Sequence, residues 1–164
     1  AVNSGGQTTA QVNITVQSTL GDTCTDAFDI TQSGTFSNNS NTAQGDYNPG
    51  SSGCTSFNAN GPDQVYRVNL QAGDRLQASL QPTGQSWDAS LYLVTGCADV
   101  TSSCVAGQDN GNPETIGFTA VSAGTYFLIV DGFLASSGGT TIPAALRAAP
   151  ASLPAATTSP TRSP

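Results

Sequence analysis

The sequence contains no lysine, no histidine and no methionine, and only 9% of its residues are charged. Without histidine or lysine, the Ser-His, Cys-His and Ser-Lys pairs that activate a nucleophile cannot form. Four arginines stand against eleven acidic residues, for a formal net charge of −7. Because binding to phosphates or to an anionic membrane surface needs basic groups, we expect neither nucleic acid nor such a surface as a partner. No stretch approaches the roughly 20 apolar residues of a transmembrane helix, so we expect no membrane insertion.

The scarcity of charge also argues against long amphipathic helices, whose exposed faces need Lys, Glu and Arg. Short segments of alternating apolar and polar residues instead predict β-strands. The clearest, residues 63–82, is interpreted as a β-hairpin around the turn 71–74, with two apolar rows that face the same way: Tyr66, Val68, Leu70 and Leu76, Ala78, Leu80. Further strands are predicted at residues 10–17, around 28–30, 89–95, 115–121 and 125–132. Six or seven such strands joined by turns predict an all-β, antiparallel β-sandwich.

The four cysteines (Cys24, Cys54, Cys97 and Cys104) form no CxxC motif, and no histidine completes a zinc site. We therefore predict disulfide bonds and an oxidising, extracellular compartment, with buried free thiols as the alternative. Four cysteines allow three pairings. We favour Cys24–Cys54 and Cys97–Cys104, because each closes a loop between predicted strands. The first of these bonds would also fix the long, turn-rich loop 37–62.

Composition divides the chain into three parts. Residues 1–21 hold a leader and the first predicted strand, residues 22–133 hold the predicted sandwich, and residues 134–164 are rich in Pro, Ala, Ser and Thr. The prolines of this tail exclude a central strand and a long helix. We expect an extended stalk that carries sugar, with a disordered tail as the alternative. Two N-glycosylation sequons, at Asn13 and Asn38, are weaker candidates for a glycan.

A turn-rich segment offers candidate ligands for calcium: Asp109, Asn110, Asn112 and Glu114. Hard cations take carboxylate and amide oxygens, but the segment lacks the full EF-hand pattern. We favour the alternative, a turn that is stabilised by its own side chains. Three further acidic residues, Asp22, Asp26 and Asp29, leave the same choice open. No other cofactor is expected.

Catalysis by paired carboxylates is conceivable in glycoside hydrolysis. The candidates Asp63, Asp74, Asp88 and Glu114 are better explained as turn or edge residues, so we expect no enzyme. Three aromatic residues, Trp87, Tyr47 and Phe57, could form a face that binds sugar or protein. Trp87 lies next to a predicted strand, however, which favours a place in the core.

Several short motifs follow one another between about Thr23 and Phe133: Pro62-Asp63 through Tyr66, Ala72-Gly73-Asp74, Trp87-Asp88-Ala89-Ser90-Leu91-Tyr92-Leu93, Cys97 and Cys104, Asn112-Pro113-Glu114, Ala123-Gly124-Thr125-Tyr126 and Val130-Asp131-Gly132. In their order and spacing they resemble the bacterial pre-peptidase C-terminal domain family. The resemblance implies a jelly-roll-like β-sandwich. It also implies that the domain is a non-catalytic accessory module attached to a secreted hydrolase. Some members of the family bind calcium.

One departure from the family concerns its last strand, which usually follows the equivalent of Asp131-Gly132. Here Ile142-Pro143 breaks the pattern, so we expect this strand to be missing. The N-terminal strand, with Val12, Ile14 and Val16 as its anchors, could fill the open edge in cis or in a neighbouring subunit. We favour exchange between subunits.

The sequence therefore predicts a non-catalytic structural protein, secreted to the cell surface, that assembles into a homo-oligomer, polymer or filament. The alternative is a monomeric accessory module of a secreted hydrolase, which binds polymeric substrate or calcium.

Overall fold

The computed structural model describes residues 20–83, 87–111, 113–136 and 138–148, with the backbone alone for 140–148. The predicted strand 10–17, with its anchors Val12, Ile14 and Val16, lies outside the described residues, as do Asn112 and the residues after 148.

Ten strands form two facing sheets, so the predicted all-β sandwich is confirmed. The strands are β1 (Phe28–Asp29), β2 (Gly34–Thr35), β3 (Asn38–Asn39), β4 (Gln64–Leu70), β5 (Arg75–Thr83), β6 (Ala89–Val94), β7 (Cys104–Gln108), β8 (Glu114–Thr119), β9 (Gly124–Gly132) and β10 (Thr140–Ala148). The first sheet has the order β1-β4-β9-β6-β7, and the second has the order β2-β10-β5-β8, with β3 also paired to β10. Strand β1 runs parallel to β4, and the other pairs between described strands are antiparallel. Within the described residues, no helix is long and apolar enough to cross a membrane.

The main core lies between the two sheets. The two predicted apolar rows, 66–70 and 76–80, are buried there in one cluster. They reach it from opposite sides, because β4 belongs to the first sheet and β5 to the second. The predicted hairpin is therefore wrong: the turn 71–74 carries the chain from one sheet to the other. Gly73 supplies the positive φ of 88° that this turn needs, and the Asp74 carboxylate accepts the N–H of Gln71 at 2.9 Å.

A second, smaller core covers the outer face of the first sheet. Strand β6 is buried along its whole length, and its outward side chains Tyr92 and Val94 pack with Val65 and Ile129 of the neighbouring strands. The long loop between β3 and β4 lies over this face, with Tyr47 against the cluster. This loop is thus the cover of a sheet that would otherwise expose apolar side chains to water.

Two disulfide bonds fix the cover, but the favoured pairing was wrong. The bonds are Cys24–Cys97, which are 73 residues apart, and Cys54–Cys104, which are 50 residues apart. Each joins a loop that precedes β4 to the segment around β6 and β7. The favoured pairing assumed that each bond closes a loop between predicted strands. The segment before β4 and the segment around β6 and β7 instead lie over the same face of the sheet, so each bond joins one segment to the other.

The last strand that we expected to be missing is present. Strand β10 pairs with β5 from Thr140 to Ala148, in the segment that we assigned to the tail. Pro143 is tolerated within it. The other edge of β10 pairs at 140–141 with β3 and at 144–145 with β2, so Pro143 falls between the two pairings. The open edge on which we based strand exchange is therefore filled by the chain itself.

Candidate functional site

Four polar side chains form a row across the outer face of the first sheet, where β9 ends. Ser90 of β6 pairs with Asp131 of β9. Asp63 lies one residue before β4, opposite Asp131, and Asp109 lies one residue after β7, opposite Ser90. Cross-strand neighbours point to the same face, so we call these four residues the polar row. The exposed fraction of Asp63, Ser90 and Asp131 is 0%.

Asp63 anchors the long loop to the sheet. Its Oδ2 atom accepts the backbone N–H groups of Asp46 at 2.6 Å and of Tyr47 at 2.7 Å. The Tyr47 hydroxyl in turn accepts the N–H of Cys24 at 3.0 Å, and burial raises the pKa of this phenol. One carboxyl thus holds the beginning of the loop next to its end.

Asp131 holds the other side of the same loop. Its Oδ1 atom accepts the N–H of Gly61 at 3.1 Å and of Gly132 at 2.6 Å, and its Oδ2 atom accepts the Tyr92 hydroxyl at 3.1 Å. The Asp63 and Asp131 carboxyls also face each other as cross-strand neighbours at the start of β4 and the end of β9. Burial raises the pKa of Asp63 to about 10, with the charge of Asp131 adding to it, and raises the pKa of Asp131 to about 6. Burial and the negative charge of each carboxyl therefore disfavour the ionisation of both at once.

The predicted calcium ligands lie at the other end of the polar row. The Glu114 carboxylate accepts the N–H groups of Gly111 at 2.8 Å and of Asn110 at 3.4 Å, and Gln108 donates to the Asn110 side chain. Burial raises the pKa of Glu114 and also that of Asp109, and the nearby Ser90 hydroxyl acts in the opposite direction on the pKa of Asp109. Side chains thus stabilise the turn in the way that we favoured. In the parts of the chain that the structure describes, no group of three or more acidic or cysteine side chains could hold a metal ion. Asn112 lies outside those parts, and calcium binding stays a prediction.

The remaining acidic candidates support local backbone structure. Asp22 and Asp26 each accept a loop N–H, at 2.6 and 2.7 Å. Asp29 accepts an N–H at 2.9 Å and forms a surface ion pair with Arg67 at 3.3 Å, which lower its pKa in that order. These three residues do not converge on one point, and Asp88 is exposed at the start of β6.

The aromatic candidates divide between core and surface. Trp87 packs against the main core, as its position next to a strand suggested, and Tyr47 packs against the second core. Phe57 is 48% exposed. Sequence reasoning missed other exposed apolar side chains, among them the neighbours Phe133 at 40% and Leu134 at 54%. An apolar pair directly after Asp131-Gly132, outside any predicted strand, was the available signal.

Three of the exposed apolar side chains, Phe57, Phe133 and Leu134, lie on two segments that meet at Gly132. The carbonyl oxygen of Gly132 accepts the N–H groups of Asn60 at 2.9 Å and of Gly61 at 2.8 Å, in the loop that carries Phe57. We call Phe57, Phe133 and Leu134 the exposed apolar group. A cleft of about 240 Å³ also opens beside the loop, between residues 46–48 and residues 97–101.

The described residues thus form a disulfide-linked β-sandwich with a loop-covered face and an exposed apolar group. Its family follows from direct comparison: residues 62–132 match the model of the bacterial pre-peptidase C-terminal domain. The comparison confirms the resemblance over these residues. Domains of this family are non-catalytic accessory domains found in secreted proteins.

Two solved structures share the fold. The chain is similar to the pre-peptidase C-terminal domain of a collagenase from Bacillus anthracis, with 18% identity and a TM-score of 0.50 over 73% of this chain and 94% of that one. It is also similar to PliG of Aeromonas hydrophila, a periplasmic inhibitor of g-type lysozyme, with 10% identity and a TM-score of 0.50 over 74% of this chain and 96% of that one. At these identities the likeness shows the fold alone. No protein of curated function matches the chain significantly.

Proposed function

We propose that this chain is a non-catalytic accessory module of a secreted hydrolase, and that the module binds a polymeric substrate. The family match over residues 62–132 carries the proposal, and the likeness to an accessory domain of a collagenase supports it. The exposed apolar group is the surface that we propose for binding. Apolar side chains that stay exposed in a sandwich with two filled cores are available for contact with a partner.

Self-assembly by strand exchange receives no support from the sandwich. The edge that we expected a neighbouring strand to fill is occupied by β10, which pairs with β5 over nine residues. We therefore propose the monomeric module, which was the alternative, in place of the filament. Attachment to the cell surface would follow from binding to a polymer there, and sugar on the tail stays a separate prediction.

Co-sedimentation with insoluble polymers tests the proposal. The full, oxidised chain is mixed with collagen fibrils, peptidoglycan, chitin or cellulose, and light scattering measures its mass in solution. The test variant combines Phe57→Ser and Phe133→Ser. The control is Val121→Ser, because Val121 is 88% exposed and lies in the turn before β9, away from Gly132.

We expect a monomer that binds at least one polymer, with an affinity that falls at least about tenfold in the double variant and not in the control. Binding to none of the polymers, or equal losses in the test and control variants, would contradict the proposal. Repeating the experiment with calcium and with a chelator tests whether polymer binding depends on calcium. A calcium dependence that disappears in Asp109→Asn would support a site at the 109–114 turn.

A further inference from the structure

We propose that Asp63 and Asp131 act as a pH-sensitive switch, in which a shared proton holds the 44–63 loop closed over the first sheet and its loss releases the two halves of the loop on either side of the disulfide-bonded Cys54. The inference stands on the contact between these two carboxyls and does not depend on polymer binding.

The geometry leaves one way for all four oxygens of the two carboxyls to form hydrogen bonds. Both side chains have no exposed surface, so water cannot solvate a second negative charge. Three of the four carboxyl oxygens accept hydrogen bonds from backbone amides or from Tyr92. The fourth, Oδ1 of Asp63, meets no donor within the described residues. A proton on one carboxyl supplies the missing donor, since two ionised carboxylates can only accept.

The groups around the pair do not supply a positive charge. From β6 the pair faces the Tyr92 hydroxyl, and from the loop it faces Asp46 and Tyr47. The negative charge of Asp26, in the segment before β1, also raises the pKa of Tyr47. All of these groups are neutral or acidic. Their presence makes a second negative charge on the pair less favourable.

Neither of the two arginines whose side chains are described is placed to neutralise a negative charge on the pair. Arg67 pairs with Asp29 at the surface, and Arg75 lies on β5 in the opposite sheet. A proton is therefore the available means by which the two carboxyls remain in contact.

The sign of the pH effect follows from linkage. Burial raises the pKa of both carboxyls above the ordinary value of 3.8, to about 10 for Asp63 and to about 6 for Asp131. The closed loop therefore binds two more protons than the open loop between pH 3.8 and about 6, and one more between about 6 and about 10. Closure is fully favoured below pH 3.8, and it becomes less favourable as the pH rises from there through about 6 and then to about 10. Between those two values the difference is one proton, so the opening equilibrium should grow by up to about tenfold per pH unit.

NMR of the full, oxidised chain tests the switch in two ways. The side-chain carboxyl carbons of aspartate are titrated, and amide exchange is followed at Asp46, Tyr47 and Gly61, corrected for base catalysis and compared with amides of β6. We expect Asp63 and Asp131 to titrate well above the other aspartates. We expect protection of the three loop amides to fall by up to about tenfold per pH unit between about pH 6 and pH 9.

The variant Asp63→Asn separates a shared proton from a merely structural contact. Its amide can donate to Asp131 as the protonated acid does, so the loop should stay protected throughout the pH range. The control is Asp74→Asn, a change at another buried carboxylate, which accepts a turn N–H at 2.9 Å and should keep the wild-type pH slope.

Titration of both carboxyls near pH 4 would overturn the proposal, as would loop protection that does not change with pH. The same holds if Asp63→Asn keeps the wild-type slope. If that variant does not fold, the carboxyl titration of the unmodified chain decides the question by itself.

Discussion

Replacing Cys54 and Cys104 by serine should remove a large part of the stability of the sandwich. Their bond closes a loop across a sequence separation of 50 residues. In the chain-entropy relation, releasing a loop of that length costs about 4 kcal/mol at 25 °C. Domains of this size are stable by about 5–15 kcal/mol, so the double variant should unfold at a much lower urea concentration. Urea unfolding under non-reducing conditions measures the difference.

The second bond provides a matched comparison. Cys24 and Cys97 are 73 residues apart, so removing their bond should cost slightly more than removing the other. The two bonds interleave along the chain, and each restricts the loop that the other closes. Each single loss is measured while the remaining bond still shortens the other loop, so removing both bonds should cost more than the sum of the single losses. A double-serine variant that unfolds at the wild-type urea concentration would refute the entropy argument.

The pairing itself can be read directly, because a protease that cuts before aspartate separates all four cysteines. It releases residues 22–25, 46–62, 88–98 and 99–108, each with one cysteine. Without reduction, mass spectrometry should find 22–25 joined to 88–98, and 46–62 joined to 99–108. A peptide pair of 22–25 with 46–62 would show that the sequence-based pairing was right and the structure wrong.

Three further changes test the packing, each by urea unfolding. Gly107→Ala would place a Cβ atom in steric overlap with the carbonyl oxygen of Cys54 and should cost about 1–3 kcal/mol, whereas Gly117→Ala, with nothing within 4 Å, should change stability far less. Equal losses in these two variants would contradict the close contact. Leu91→Ala removes a fully buried side chain of β6 and should cost about 2–5 kcal/mol, and a loss below about 1 kcal/mol would show that the core is looser than described. Asp29→Asn breaks an exposed ion pair and should cost less than about 1 kcal/mol at neutral pH, so a larger loss would mean that the pair is not solvated.

The sequence predicted which side chains are buried better than it predicted which strands are neighbours. Alternation in 66–70 and 76–80 identified two inward-facing rows, and both rows are in the core. The same pattern arises whether two strands pair in one sheet or face each other across two sheets. Only the path of the turn at Gly73 distinguishes these cases, and its residues suit either.

The polar row could not be predicted from the sequence, for a related reason. Asp63 and Asp131 each look like turn residues, and each does accept backbone N–H groups. Their contact depends on the register of β4 against β9, which no local pattern specifies. The last strand was missed because we treated a proline as excluding a central strand. Pro143 falls instead in the gap between two short pairing partners.

The interleaved disulfide bonds also determine how the module would respond to mechanical tension. A pull applied before Cys24 and after Cys104 would pass through the Cys24–Cys97 bond and the short segment 97–104. Residues 25–96, which include β1 to β6, lie outside that path in a closed covalent ring. Strands β8 to β10 could be drawn out, whereas the ring could not be extended without breaking a covalent bond. A module held between a polymer and an enzyme would thus keep its loop-covered strands β4 and β6, with Asp63, out of the line of force.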